Sequence, residues 1–319
     1  MAEQPSGIQI WIAAARPRTL PLALSVVAAG NAAAALADPC NFSWPVCIFS
    51  LLTTALLQLL SNFANDLGDA EKGTDNASRI GPERAVQSGR ISADQMRKIV
   101  ICFAGLSLFS GLILLYLSYA RIGTILLGVF LGAGLLSIAA AITYTMGKSA
   151  YGYKALGDPA VFVFFGLIGV CGSGFLQHPE ITPLMGFLAV LFGALSTAVL
   201  NLNNMRDRAE DLKHGKITIA GKLGPQRAVF YHYALILLAF LSLSSAVYAA
   251  GPEWISLMFL VPAGMYILHG FIVSRIRVPK DYDQLLPQLA MIALLSSLMW
   301  VLLASWRAIH TLCPGPVSL

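Results

Sequence analysis

Charged residues are scarce in this 319-residue chain: Asp, Glu, Lys and Arg make up 12% of it, against 57% hydrophobic residues. The mean hydropathy is +0.71. So little charge excludes a soluble domain of this length. It also excludes a nucleic-acid partner, because nucleic-acid binding needs a basic soluble face. Residues 1–18 lack the basic start, short apolar core and small-residue cleavage site of a signal peptide, so we expect no cleaved leader.

Cysteine chemistry is also missing. The five cysteines are scattered, with no CxxC pair and no spacing typical of a zinc site. We interpret them as small apolar packing residues. No Ser–His–Asp or Cys–His arrangement stands out either, so nothing in the sequence indicates a nucleophilic side chain.

Long apolar stretches are what the chain has instead. About nine of them are long enough, or nearly so, to cross a bilayer as a helix. They lie at 19–37, 44–64, 99–119, 122–143, 159–177, 182–203, 228–249, 254–273 and 285–305. The prediction is an all-α fold: a multi-pass transmembrane helical bundle that forms one integral-membrane domain over residues 1–319.

The charges that do occur are concentrated in one set of segments. Nearly all of the 21 Lys and Arg residues lie in the N-terminus, 65–98, 144–158, 204–227 and 274–284. By the positive-inside rule, these segments face the cytoplasm from a bacterial inner membrane, and the C-terminus faces out unless the last span is re-entrant. Nearly all acidic residues lie on the same side, so we expect the long loops to form a charged cytoplasmic cap.

Two of these loops resemble each other. The spacing Asn-xxx-Asp occurs at Asn65 and again at Asn203, and GPERAV at 81–86 is echoed by GPQRAV at 224–229. The two similarities occur in the same order, each after an apolar span. They favour an internally duplicated bundle, that is, a pseudo-repeat.

Each of the two loops begins with a ladder of oxygen ligands, since residues four apart share one face of a helix. The first ladder contains Asn65 and Asp69, and the second contains Asn203, Asp207 and Asp211. Mg²⁺ prefers such oxygens and usually takes one or two carboxylates with water and substrate phosphates. Basic residues that suit a phosphate follow both ladders: Arg79, Arg84, Lys213, Lys216 and Lys222. This predicts a Mg²⁺–diphosphate site for a ligand with a charged head and an apolar tail, such as polyprenyl diphosphate.

The residue sequences of these segments are similar to those of a known family. NDLGDAEKGTD and RIGPERAVQSG resemble the first signature of the UbiA-type membrane prenyltransferases, and NNMRDRAEDLKHGKITIAGKLG resembles the second. YTMGKSAYGYKALGDPAVFVFFG, at 144–166, and ARPRTLP, at 15–21, also resemble segments of that family. GDAEKGTDN, RAVQSG, YGYKALGD and NNMRD are most similar to the branch of 1,4-dihydroxy-2-naphthoate polyprenyltransferases.

The resemblance, added to the ladders, implies Mg²⁺ as cofactor and a set of site residues. The expected metal ligands are Asn65, Asp66, Asp69, Asp75, Asn203, Asp207 and Asp211. The expected substrate-binding residues are Arg79, Arg84, Lys216, Lys222, Tyr151, Tyr153 and Asp158. Tyr144 and Lys148 match a pair expected near the reacting carbon and the diphosphate. The family pattern has an acid where Gly73 stands, so Asp75 either turns back to the metal or faces water.

The implied reaction is transfer of a polyprenyl group from polyprenyl diphosphate to 1,4-dihydroxy-2-naphthoate, with loss of CO₂ and diphosphate, giving demethylmenaquinone. The isoprenoid chain is expected to leave sideways into membrane lipid. Two alternatives stay open: another aromatic acceptor, such as 4-hydroxybenzoate, and, from a different class, a cation-coupled transporter. A transporter would need ionisable groups near the middle of its spans, and the carboxylates here lie at span ends.

Overall fold

The computed structural model describes residues 6–74 and 80–311. Its main elements are α1 (Gly7–Ala15), α2 (Leu20–Ala37), α3 (Trp44–Glu71), α4 (Ala93–Thr143), α5 (Gly157–Gln177), α6 (Pro183–Lys213), α7 (Ile219–Ala249), α8 (Trp254–Val273) and α9 (Pro279–His310). Over the described residues, the one pairing of strand type is a single parallel β-bridge between Lys154 and Ile217. The prediction of an all-α membrane bundle is therefore confirmed.

Helix α4 accounts for the difference between the predicted and observed numbers of spans. In the described part of the chain, 8 segments are long and apolar enough to cross a membrane. Helix α4 has 51 residues, and Gly123 interrupts it with φ 69° and ψ 179°, a conformation that glycine adopts readily. Val100 and Ile142, near its two ends, pack in one apolar cluster. Helix α4 therefore folds back on itself as two spans, which agrees with a prediction of about nine.

Helix α6 forms the centre of the bundle. Thr182 caps its first turn by accepting a hydrogen bond from the Met185 amide, and Pro183 occupies the first helical position, where no backbone donor is needed. Leu188, Phe192 and other apolar side chains along the helix are fully buried among α2, α5, α7 and α9. This close packing fixes the second ladder, which lies at the end of α6.

The ladders lie at the ends of α3 and α6, and both helices end in the same way. Helix α3 is followed by Gly73 with φ 68°, and α6 is followed by Gly215 with φ 71°. A glycine in the left-handed region is a common way to end a helix. The equivalent endings agree with the pseudo-repeat. The similarity does not extend to the two hexapeptides, because 81–86 lies in a loop whereas 224–229 lies within α7, which is interrupted at Gly224.

The charged loops meet at one end of the bundle, which we call the loop end. The amide of Ala155 donates a 2.7 Å hydrogen bond to the carbonyl of Ile217. Arg206 of α6 forms a 2.5 Å ion pair with Asp283, which precedes the long helical part of α9. A Cβ on Gly81 would lie 2.9 Å from the guanidinium of Arg206. These contacts join the four loops into the predicted cap.

A polar network joins the later helices inside the membrane. Nε2 of His232 in α7 lies 2.9 Å from Nε2 of His269 in α8. Nδ1 of His269 lies 2.9 Å from Oε1 of Gln288 in α9. Both histidines are fully buried. Their polar atoms therefore connect three helices in the interior of the bundle.

The cysteines follow the expectation in part. Cys47, Cys102 and Cys171 are free thiols among the described residues. Cys40, between α2 and α3, is disulfide-bonded, which corrects the interpretation of all five cysteines as packing residues. A cysteine in a short loop outside the membrane can pair without a recognisable spacing motif, because pairing depends on distance in the fold.

Candidate functional site at the loop end

The first ladder is held by a close contact between α3 and the turn after α4. Oγ1 of Thr145 lies 3.0 Å from the carbonyl of Ala64 and 3.2 Å from Oδ1 of Asn65. A Cβ on Gly68 would lie 2.5 Å from the same Oγ1 atom. Glycine at position 68 therefore lets the turn approach α3. Asp69, one residue further on, is 4% exposed.

Asp66 lies on a different face of α3 from Asn65 and Asp69. Its two carboxylate oxygens accept 3.2 Å hydrogen bonds from the amides of Ala85 and Val86. These contacts fix the start of the turn 85–89 against the helix. The predicted role of Asp66 as a metal ligand stays a prediction, and the geometry gives it a second task, which is to position this loop.

The second ladder ends in a buried carboxylate with one oxygen available. Asp211 is 4% exposed, and its Oδ1 atom lies 3.4 Å from Nζ of Lys216. Its Oδ2 atom is buried and has no hydrogen-bond partner in the described part of the chain. A buried carboxylate oxygen normally has a partner. A hard cation is the chemistry that this oxygen fits.

Arg206 holds the middle of the second ladder, and it was not among the residues selected from the sequence. Its guanidinium contacts both carboxylate oxygens of Asp207 at 2.8 and 2.7 Å and also pairs with Asp283. The Arg206 side chain is 3% exposed. A planar guanidinium suits such a two-carboxylate arrangement better than an ammonium would. The position within NNMRD was the available signal.

Tyr153 connects the two ladders. Its hydroxyl lies 2.7 Å from Oδ1 of Asp69 and 2.6 Å from Oγ1 of Thr74. Nζ of Lys72 and Nζ of Lys216 lie 4.8 and 5.6 Å from the centre of its ring. One aromatic ring thus lies beside a cation from each loop. Lys72, which also contacts the carbonyls of Thr145 and Gly147, was not among the predicted site residues.

The charges of both ladders act on the hydroxyl of Tyr153. Burial, then the carboxylates of Asp69 and Asp211, raise the pKa of Tyr153. Both helices therefore act on the same phenol, which stays protonated at neutral pH and can donate to Asp69. Burial lowers the pKa of Lys72, while Asp69 and Glu71 oppose that shift.

The available ligands fit Mg²⁺ better than a metal that needs a preformed cage. Within residues 6–74 and 80–311, no three His, Cys, Asp or Glu side chains are grouped closely enough to hold an ion alone. Mg²⁺ binds through few protein carboxylates, with water and substrate phosphate completing its octahedron. The oxygens of Asp69 and Asp211, at the ends of two helices, match that requirement.

A cavity of about 440 Å³ starts beside the ladders and runs into the bundle. Asn65, Asn203 and Tyr144 line it at the loop end, and Phe130 and Leu176 line it near the opposite end. Its remaining lining is mostly apolar. A long apolar group can therefore lie in the cavity with its polar head at the ladders.

Two tyrosines shape the wall of the cavity near the ladders. The rings of Tyr144 and Tyr151 pack edge to face with centroids 5.3 Å apart. The Tyr151 hydroxyl donates a 3.0 Å hydrogen bond to the carbonyl of Ala140. Burial raises the pKa of Tyr151 to about 12, and burial followed by the charge of Asp158 raises that of Tyr144. Both phenols are therefore neutral at physiological pH.

The other predicted site residues differ in how deeply they are buried. Asp158 is 2% exposed, and its Oδ2 atom is buried with no hydrogen-bond partner among the described residues. Arg84 is half-buried at the turn that Asp66 fixes. Lys148 and Lys222 are exposed, so the structure does not bring them into the buried group. Asp75 and Arg79 lie outside the described residues.

Comparison with known proteins agrees with this architecture. Residues 23–298 match the UbiA prenyltransferase family. A 1,4-dihydroxy-2-naphthoate octaprenyltransferase of Haemophilus influenzae is 40% identical over 295 residues, covering 92% of this chain and 95% of that protein. A protein of the same name from Escherichia coli is 38% identical over 310 residues, covering 96% of this chain and 99% of that protein.

A solved structure shares the fold at low sequence identity. It is a UbiA homolog from Archaeoglobus fulgidus bound to GPP and Mg²⁺, with a TM-score of 0.67, 18% identity, and coverage of 95% of this chain and 100% of that chain. The fold, the matched range and the two bacterial relatives lead to one conclusion: this integral, multi-pass membrane protein belongs to the UbiA prenyltransferase family.

Proposed function

We propose that this protein transfers a polyprenyl group from a polyprenyl diphosphate to 1,4-dihydroxy-2-naphthoate, with release of diphosphate and CO₂. The observation that carries the proposal is the meeting of the two ladders around Tyr153 at the start of a largely apolar cavity. The names of the two bacterial relatives support this choice of acceptor.

The ladders are the proposed binding place for Mg²⁺ and the diphosphate. Asn65, Asp69, Asp207 and Asp211 would hold the metal, and the Mg²⁺ bound to the Archaeoglobus fulgidus homolog of the same fold supports that assignment. Bound there, Mg²⁺ supplies positive charge that stabilises the departing diphosphate. Arg84, Lys72 and Lys216 supply further positive charge from the chain itself.

The chain's other contribution is a dry cavity with an aromatic wall. The C–O bond of the prenyl diphosphate breaks, and its electron pair leaves on the diphosphate. The apolar lining keeps water from the allylic cation, and the face of Tyr144 stabilises it.

The naphthol ring then attacks, and the new C–C bond forms at the carbon that bears the carboxylate. Loss of CO₂ returns its bonding electrons to the ring and restores aromaticity. The product is a prenylated naphthohydroquinone, the reduced form of demethylmenaquinone. No nucleophilic side chain is required, so catalysis depends on positioning and charge.

We further propose that the loop end faces the cytoplasm of a bacterial inner membrane. The basic loops gather at that end, as the positive-inside rule requires. The disulfide-bonded Cys40 lies between α2 and α3, at the opposite end from the first ladder. Disulfides persist in oxidising compartments such as the periplasm, which supports this orientation.

A transfer assay in detergent tests the proposed function. It would use a polyprenyl diphosphate with Mg²⁺, offer dihydroxynaphthoate and 4-hydroxybenzoate separately, and read the product by mass. We expect a decarboxylated prenyl-naphthohydroquinone that is lost with EDTA, in Asp69→Asn and in Asp211→Asn. Asp94→Asn, which changes an exposed acid, is the matched control and should keep full activity. Prenylated hydroxybenzoate as the sole product would refute the acceptor assignment.

A further inference from the structure

Arg16 contributes a charged side chain to the lining of the cavity. Among the described residues, it is the one charged side chain in the cavity lining, and its neighbours there are apolar or neutral polar. Arg16 belongs to neither ladder, because it lies in the turn between α1 and α2. The cavity lining therefore contains an arginine that lies outside both ladders.

The backbone at Arg16 is in an uncommon conformation. Its φ of 50° and ψ of 61° lie in the left-handed region, and Pro17 follows directly. A non-glycine residue occupies this region at a cost in free energy, and such residues concentrate at ligand sites. The surrounding fold must therefore hold the turn in place.

Polar side chains of α3 provide that support. Nδ2 of Asn62 donates hydrogen bonds of 2.8 Å to the carbonyl of Ala15 and 3.0 Å to Oγ1 of Thr19. Nε2 of Gln58 donates to the same Oγ1 at 3.2 Å. Thr19, Gln58 and Asn62 line the cavity together with Arg16. The guanidinium thus stands on a turn that is fixed to the helix carrying the first ladder.

The depth of Arg16 in the bundle is suitable for binding the aromatic acceptor. Gln58 and Asn62 precede Asn65 on α3, so they lie about 5 to 10 Å further into the bundle along the helix axis. With the diphosphate at the ladders, the first carbons of the prenyl chain reach this depth. The acceptor ring has to approach the prenyl chain there.

We infer that Arg16 binds the acceptor by its carboxylate and the adjacent hydroxyl, and so selects carboxylated naphthols; this inference rests on the proposed function. A guanidinium presents two parallel N–H donors that match two neighbouring oxygens, and in a dry cavity such charge-assisted bonds are strong. When CO₂ leaves, the electron pair passes through the ring to the neighbouring oxygen, which Arg16 still holds.

Steady-state kinetics with two acceptors test this inference. The variants are Arg16→Asn, since asparagine tolerates the left-handed region, and Arg16→Lys, which keeps the charge. Arg18→Asn changes an exposed arginine of the same turn and is the control. The acceptors are dihydroxynaphthoate and 1,4-naphthalenediol, which lacks the carboxylate.

We expect Arg16→Asn to raise KM for dihydroxynaphthoate about 10- to 100-fold. KM for the prenyl diphosphate should stay the same, and so should kcat/KM for the diol. The preference for the carboxylated acceptor therefore disappears. Arg16→Lys should retain part of it, and Arg18→Asn all of it. An unchanged preference in Arg16→Asn would overturn the inference.

A binding measurement separates this inference from the proposed function. In the wild type, 1-hydroxy-2-naphthoate without donor should raise the thermal unfolding temperature, and in Arg16→Asn it should not. Mg²⁺ with pyrophosphate should raise it in both, which also shows that the variant is folded. Equal stabilisation of both proteins by the naphthoate contradicts a role for Arg16. A wild type that binds 1-hydroxy-2-naphthoate through Arg16 but never prenylates dihydroxynaphthoate refutes the proposed function alone.

Discussion

The hydroxyl of Tyr153 donates a 2.7 Å hydrogen bond to Oδ1 of Asp69. Tyr153 lies in the loop that pairs with the segment after α6 through the Lys154–Ile217 bridge. The carboxylate at the end of α3 is therefore positioned by a residue tied to the other half of the molecule. A change at Tyr153 must affect both ladders.

Tyr153→Phe tests this connection. Removal of the hydroxyl takes away a hydrogen bond to a charged group, for which we expect kcat/KM to fall about 10-fold. Half-maximal activity should also require more Mg²⁺. Tyr119→Phe is the control, because it removes a hydroxyl that bonds Thr124 on the far side of the bundle. Activity and Mg²⁺ dependence equal to wild type would contradict a positioning role for Tyr153.

Arg206→Met should lower stability. The Arg206 side chain is 3% exposed and pairs with two carboxylates, those of Asp207 and Asp283, so its removal takes a buried cation away from both. We expect a loss of about 3 kcal/mol in the free energy of unfolding. The measurement is reversible unfolding in mixed detergent–SDS micelles. Arg97→Met, which breaks pairs of a side chain that is 49% exposed, should cost less than about 1 kcal/mol. Similar losses in both variants would show that the buried ion pairs of Arg206 contribute no more stability than the exposed pairs of Arg97.

Gly68→Ala should weaken the contact between α3 and the turn after α4. The new Cβ would lie 2.5 Å from Oγ1 and 2.8 Å from the carbonyl carbon of Thr145. Because a backbone atom cannot move away easily, we expect a loss of about 1–3 kcal/mol in stability together with lower activity. Gly105→Ala is the matched control: it has no atom within 4 Å of the new Cβ and should be neutral or stabilising. An active, fully stable Gly68→Ala enzyme would show that the turn can shift.

Ionisation of Tyr151 should lower the stability of the folded protein at alkaline pH. Burial raises its pKa in the folded protein to about 12, whereas an unfolded tyrosine ionises near pH 10. The folded state therefore prefers the neutral phenol. Its contribution is complete below about pH 10 and decreases as the pH rises towards 12. Unfolding temperatures measured from pH 8 to 11 should fall less steeply above pH 10 in Tyr151→Phe than in wild type. Parallel curves would mean that Tyr151 is solvated.

The ladders are recognisable in the sequence because their spacing of four is a local property of a helix. The aromatic loop is recognisable through its similarity to the family. Arg206 and Lys72 are not recognisable as site residues, although both lie inside the motifs. The chemistry of these side chains comes from partners that are distant in sequence, such as Asp283 and the ring of Tyr153. Lys148 shows the opposite case: similarity selected it, and the structure leaves it exposed.

The membrane bundle, the uneven distribution of charge among the loops and the two ladders can all be predicted from the amino-acid sequence. These follow from hydropathy, loop charge and helical periodicity, which act over short stretches of chain. Which atoms come into contact depends on the packing of the helices. This packing placed Tyr153 between the ladders, paired Asp66 with the turn 85–89 and brought Arg16 into the cavity lining. The reason is physical: burial and hydrogen bonding of a side chain depend on how helices pack, and packing is set by contacts between residues far apart in sequence.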